Sequence, residues 1–307
     1  MTLLELIESS AQQLLDAKVS FGHGTTNAFD EATWLVLHSL DLPLDTPVRG
    51  EDSEQNRPLT PVEYAQAATL LGARISTRKP AAYLTREAWL QGVAFYVDER
   101  VIVPRSLIAE LLVDGGMDYW LKESTHSVLD LCTGNGSLAI IAAMSFPDVV
   151  VTAADISADA LDVARINVEK HGLTDRVSLL KSDGLSAVPG VFDLIVCNPP
   201  YVNAQSMAEL PAEYLAEPTI ALCGNQLGGT DGMDFIRMLL RNAPEHLAAD
   251  AVLVLEIGNE RPFFEAAFPE LEVVWLETSA GDDQVLLVTR DALLRAPEPG
   301  SPDRPGV

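Results

Sequence analysis

Two periodicities divide the chain. Near the start, Leu3, Leu4 and Ile7 and then Leu14 and Leu15 recur at helical spacing. The apolar stretch from Phe29 to Leu37 predicts a second helix with a cap at Asp30, closed by Asp41-Leu42-Pro43-Leu44-Asp45. A third, rich in Ala and Leu, is predicted from Pro61 to Arg78 and closes at Lys79-Pro80. Strand formers then flank Gly92 between Glu87 and Val97, which predicts a β-hairpin. It leads through Val101-Ile102-Val103-Pro104-Arg105-Ser106 into a helix from about Leu107 to Gly115. From Ser127 the pattern changes to alternating strands and helices, the signature of a parallel sheet. Strands are predicted near 127–132, 149–155, 176–181, 191–197, 250–257, 271–277 and 284–290. Helices are predicted near 137–145, 158–171, 232–247 and 260–267. Gly281-Asp282-Asp283 is read as the turn of a closing antiparallel hairpin. The chain is therefore expected to be α/β: a helical domain over 1–86, a β-hairpin linker over 87–104, a seven-stranded sheet domain over 105–295 and a Pro-rich disordered tail over 296–307.

Composition narrows the setting. The 307 residues suit one large and one small domain, and 48% hydrophobic residues suffice for a substantial core. No apolar run is long enough to span a bilayer, and no basic-then-apolar leader opens the chain. Cys132, Cys197 and Cys223 are too far apart for a disulfide framework or zinc site, and the expected compartment is the cytoplasm. His23, His38, His126, His171 and His246 show no ligand spacing, so no metal is expected. The net charge of −25 disfavours free nucleic acid as the main partner and permits a basic protein.

Candidate chemistry gathers at strand ends. Val128 to Leu131 is an apolar strand carrying Asp130; it runs through Cys132-Thr133-Gly134-Asn135-Gly136 into a helix at Ser137. Gly134 and Gly136 let backbone approach a ligand, and the helix start presents free N–H groups. Asp155, followed by Ile156, ends the next strand about twenty residues later, where an acid suits ribose hydroxyls. Asp183, before Gly184, follows the third strand, within reach of an adenine amino group. Each acid alone is equally well a helix cap. Together they describe a site for an amine-bearing nucleoside without phosphate, because Asp130 would repel a pyrophosphate. S-adenosylmethionine has that chemistry. Downstream, the buried-strand pattern Phe192 to Val196 ends in Cys197-Asn198-Pro199-Pro200-Tyr201-Val202. The prolines stiffen this loop and keep Asn198 out of the helical region. The Asn198 side-chain carbonyl and the Pro199 backbone carbonyl form an acceptor pair for an amide NH2, and Tyr201 can pack on the amide plane. Arg105 is either part of a simple helix start capped by Ser106 or free to bind a carboxylate. Cys132 and Cys197 read as buried apolar residues rather than nucleophiles. Glu217-Pro218 and the Gly-rich run Gly228 to Gly232 form a loop with Asp231 as helix cap, or shape a substrate channel.

Asp130 to Gly136 with Asn198-Pro199-Pro200-Tyr201 resembles the class I S-adenosylmethionine-dependent methyltransferases that act on amide or exocyclic amino nitrogens. Pro80-Ala81-Ala82-Tyr83-Leu84, Phe95-Tyr96-Val97 and Val103-Pro104-Arg105-Ser106 resemble the glutamine N5-methyltransferases of translation, over about residues 75 to 290. The resemblance implies a Rossmann-like seven-stranded sheet, S-adenosylmethionine as cofactor and a protein substrate. It assigns the acceptor amide to Asn198, Pro199, Pro200 and Tyr201, with Asn198 also beside the cofactor. Cys132-Thr133-Gly134, where release-factor enzymes carry Gly first, and Val103-Pro104-Arg105-Ser106 resemble the branch acting on large-subunit ribosomal protein three. A release factor is the alternative substrate. Gly184-Leu185 departs from the Asp-aromatic step of relatives, which leaves no aromatic there for the adenine. A base methyltransferase, a nicotinamide dehydrogenase and a silent docking module are the competing readings. The acidic balance opposes the first, Asn198 to Tyr201 the second, and the intact Asn198 the third.

Overall fold

The computed structural model describes residues 1–122 and 124–296. From residue 297 the tail expected to be disordered lies outside the described residues. Three helices open the chain: α1 (Leu3–Asp16), α2 (Ala28–Ser39) and α3 (Pro61–Thr77). Thr2 with Glu5, and Thr60 with Glu63, form capping boxes at α1 and α3. Asn27, not the predicted Asp30, caps α2, accepting the Asp30 N–H at 3.0 Å. Asp30 instead sits in the first turn, where its charge favours the positive helix end. The inner faces of these helices bury Leu3, Ile7, Leu14, Leu35, Leu37 and Leu71 together with Tyr83, Val97, Val103 and Val163. The helical unit thus shares one core with the linker and the first turns of a sheet-domain helix.

After α4 (Ala81–Thr85), β1 (Glu87–Leu90) and β2 (Val93–Tyr96) form the predicted hairpin, with Gln91 and Gly92 both at positive φ. Then come α5 (Ile108–Val113), β3 (Ser127–Leu131), α6 (Ser137–Ser145), β4 (Val150–Asp155), α7 (Ala158–Lys170), β5 (Val177–Lys181) and β6 (Phe192–Cys197). Next are α8 (Ala204–Glu209), α9 (Thr219–Leu222), α10 (Asp234–His246), β7 (Leu247–Glu256), α11 (Arg261–Ala267), β8 (Val274–Thr278), β9 (Gly281–Thr289) and α12 (Arg290–Arg295). The seven-stranded sheet has the order β5-β4-β3-β6-β7-β9-β8. Pairing is parallel from β5 to β7 and antiparallel where β9 enters between β7 and β8. Helices cover both faces, so β3 and β6 read as continuous apolar runs: Val128 and Val196 face one core, Leu129 and Ile195 the other.

The closing hairpin turns earlier than predicted, at Ser279-Ala280, and Gly281 to Asp283 belong to β9. Thr278 pairs with Gly281, and its Oγ1 donates to the Gly281 carbonyl at 3.0 Å. Asp282 and Asp283 are exposed strand residues, which is why their polarity reads as a loop. β7 begins at Leu247, ahead of the predicted 250, and α4, α8, α9 and α12 are additional to the predicted helices. Among the described residues no helix is long and apolar enough to cross a membrane.

Candidate active site at the carboxyl edge of the sheet

Strand order reverses between β3 and β6: the chain moves outward from β3 through β4 to β5, then returns to place β6 on its other side. Ligands bind at such a switch point, outside the carboxyl ends of the strands. The two sequence motifs flank it. Leu131 pairs with Cys197, so Cys132 and Asn198 leave the sheet side by side.

Two cavities open there. The first encloses about 720 Å³ and is lined by Cys132, Gly134, Asp155, Ile156, Asp183, Gly184 and Asn198, seven of the residues predicted to bind cofactor. Asp155 accepts the Gly134 N–H and the Ser157 N–H, both at 2.9 Å, which ties the glycine turn to the end of β4. Burial raises its pKa against these bonds. Cys132 sits at φ +62, in the left-handed region.

The remaining four lie behind that wall and shape it. Asp130 is fully buried, accepts from Thr133 Oγ1 and from the Ala139 N–H, and its Oδ1 has no partner. Burial pushes its pKa up to about 7. Asp130 thus stands behind the lining, where it holds the turn and the start of α6. Asn135 Oδ1 accepts the Ser137 N–H at 3.2 Å. Gly136, at φ +83, is packed so closely on α7 that a Cβ would come within 3.2 Å of Ala164 Cβ.

Other lining residues are Ile102 from the linker, Pro218, Ile220 and Ala221 from the loop begun by Glu217-Pro218, and Phe235 on α10, which carried no sequence signal. Phe235 supplies the aromatic surface that Gly184 lacks; a Cβ on Gly184 would lie 3.6 Å from its ring. Arg100 is the cation among the described lining residues, and its guanidinium is held by Asp98 at 2.7 and 2.8 Å. That pairing leaves no free positive charge on the lining for a pyrophosphate, whereas two carboxylates and an aromatic face suit a phosphate-free nucleoside bearing an amine.

The second cavity, about 1160 Å³, is lined by Asn198, Pro199, Tyr201, Tyr214, Glu256 and Gly258 among others. Ile102, Asn198 and Ala221 line both cavities. Pro200 faces the first alone. Burial, and then nearby Glu256, raise the Tyr201 pKa, so the phenol stays protonated. Burial likewise pushes Glu256 up to about 7, although its Oε2 accepts from Ser106 Oγ at 2.5 Å and from the Leu107 N–H at 2.9 Å. The Gly-rich loop before α10 packs on the back of the motif. A Cβ on Gly232 would lie 2.1 Å from the Tyr201 carbonyl oxygen. Asp231 accepts the Met233 N–H and pairs with Arg237.

Arg105 is placed differently from the open guanidinium expected for a substrate carboxylate. Its fork is taken by Glu217 at 2.7 and 2.8 Å, and its edge reaches the second cavity. Ser106 does accept the Ile108 N–H at 3.3 Å, but its hydroxyl proton goes to Glu256. Among the described residues no group of three or more His, Cys, Asp or Glu is placed to hold a metal ion.

Comparison with known proteins agrees with this geometry. The family model for the methyltransferase small domain matches residues 111–220. The ribosomal protein uL3 glutamine methyltransferase of Bordetella pertussis is 51% identical over 295 residues, covering 95% of this chain and 96% of its own. The protein of that name from Neisseria meningitidis serogroup A is 47% identical, covering 95% and 94%. In shape, the chain is similar to the human Mettl16 catalytic domain solved with the MAT2A 3'UTR hairpin 6, with a TM-score of 0.50 at 15% identity over 74% of this chain and 81% of that one. That likeness concerns the fold alone. With near-full-length identity of this order, the chain belongs to the family of ribosomal protein uL3 glutamine methyltransferases.

Proposed function

We propose that this chain methylates the side-chain amide nitrogen N5 of a glutamine in ribosomal protein uL3, in the cytoplasm, with S-adenosylmethionine as methyl donor. The observation that carries the reading is Asn198, which lines both cavities at the switch point. A donor in the first cavity and a glutamine in the second meet there. Asp155, Asp183, Gly134, Ile156 and Phe235 are the residues that would hold the donor, with Cys132 beneath it. Bound there, S-adenosylmethionine supplies a methyl carbon activated by its sulfonium.

The chain's own part is positioning and electrostatics. An amide nitrogen is a poor nucleophile because its lone pair is delocalised. The Asn198 side-chain carbonyl and the Pro199 backbone carbonyl accept its two N–H groups and aim it at the first cavity. Their dipoles also meet the positive charge that develops on nitrogen. Tyr201, a neutral phenol, packs on the amide plane. The charge of −25 favours encounter with a basic protein over nucleic acid.

Radiolabel from S-adenosylmethionine is expected to appear in uL3. Label in a release factor instead would move the reading to the sister branch, and label in nucleic acid alone would overturn it. Asn198→Ala is expected to bind donor within about twofold of wild type while turnover falls by roughly 100-fold. Loss of donor binding in calorimetry would refute the acceptor role.

A further inference from the structure

The connection from Pro211 to Cys223 walls the second cavity with Tyr214, Ala221 and Leu222. Within it lies Glu217, 4% exposed. Glu217 Oε1 accepts the Val103 N–H at 2.9 Å and Arg105 Nη1 at 2.7 Å. Oε2 accepts Arg105 Nη2 at 2.8 Å and lies 3.5 Å from His23 Nε2. Three parts of the chain meet on this carboxylate: the helical unit through His23, the linker through Val103, and the sheet domain through Arg105 and Glu217 itself. Burial opposes its charge, but the nearby His23 ring and the bonds from Arg105 outweigh burial and hold the carboxyl down to about 2.

The neighbouring residues repeat the attachment. Glu213 is fully buried and faces the Ser20 N–H at 3.2 Å, Arg78 Nε at 2.9 Å and Arg74 Nη1 at 3.4 Å. The Tyr214 ring stacks at a tilt on His23, with centroids 4.3 Å apart. Exposed ion pairs contribute little, but a buried carboxylate with several donors fixes geometry, because displacing it strands unpaired charge. The path onward to the motif is short. Val202, next to Tyr201, donates its N–H to the Leu222 carbonyl at 2.9 Å and accepts the Gly224 N–H at 3.1 Å.

We propose that Glu217 is a positioning residue for methyl transfer: it registers the helical N-terminal unit and the cavity wall against Asn198 to Tyr201, so that the unit sets turnover as well as affinity. This rests on the acceptor-cavity reading above. Glu217→Gln is nearly isosteric but neutral and turns an N–H2 toward Arg105. His23→Phe keeps a ring against Tyr214 and removes only the contact from the helical unit. Both are assayed at saturation with intact uL3 and with a short peptide carrying its glutamine, alongside thermal melting and donor titration. The expected result is a folded, donor-binding Glu217→Gln variant whose kcat falls about 100-fold on both acceptors. For His23→Phe the expected fall is about tenfold, again on both. Wild-type kcat in whichever variant folds would overturn the proposal. So would a loss confined to intact uL3, since that outcome makes the contact one of docking alone. Wild-type enzyme that methylates neither acceptor would count against the functional reading instead.

Discussion

Cys132 occupies a left-handed backbone position at φ +62, where a β-carbon costs about 1–2 kcal/mol. The resemblance places Gly at this position in the release-factor branch, from which Cys132 departs, and the backbone angle explains why Gly suits it. Cys132→Gly is therefore expected to stay within about 1 kcal/mol of wild type in urea unfolding, because relieved strain offsets the freer unfolded chain. Cys132→Val, branched at Cβ, is expected to lose about 2 kcal/mol. Asp130 carries a second residue-scale consequence. Its pKa is raised to about 7, so the folded state holds a proton that the unfolded chain releases near pH 4. Stability must then fall as pH rises from about 4 to about 7, at up to roughly 1.4 kcal/mol per unit. Asp130→Asn is expected to flatten that slope in melts between pH 5 and 7. The slope that remains belongs to Glu256, raised to about 7, together with Asp155 and Glu31, which burial also raises and which act with the same sign.

At the scale of elements, local signals succeeded where local physics dominates. The helical spacing of Leu3, Leu4 and Ile7, the hairpin around Gly92 and the alternation after Ser127 are all written in near neighbours in sequence. The misplacements have the same origin. Asp30 is an acceptable cap by type, but Asn27 stands three residues earlier and takes the bond. The acidic start of β9 is extended because β8 pairs with it, not because of its own residues. The β1–β2 turn retains a local imperfection: Gln91 lies at φ +49 beside Gly92 at φ +74. Asn tolerates that region better than Gln. Gln91→Asn is expected to raise stability by roughly 0.5–1 kcal/mol in chemical denaturation, with turnover unchanged.

For the whole molecule, buried charge joins the helical unit to the sheet domain. Arg74 is fully buried, donates to Glu31 at 2.8 Å and to the Ser20 carbonyl at 3.0 Å, and faces Glu213. Arg74→Met would leave two buried carboxylates without this partner and is expected to cost about 3–5 kcal/mol, measured by urea unfolding. Added salt is expected to change that loss little, because these charges lie away from solvent. Nothing in the sequence pointed to this cluster, since Ser20, Glu31, Arg74 and Glu213 have no mutual spacing for a pattern to reveal. By itself the sequence determined the strand-and-helix alternation, the acids at successive strand ends, and the stiff proline loop from Asn198 to Tyr201. Each depends on a residue and its immediate neighbours. Tertiary structure alone decided three other matters. Asp130 stands behind the cofactor wall rather than on it, Arg105 serves Glu217, and Phe235 lines the first cavity from a helix far along the chain. Those outcomes depend on which buried surface reaches which charge first, and burial is a property of the packed chain.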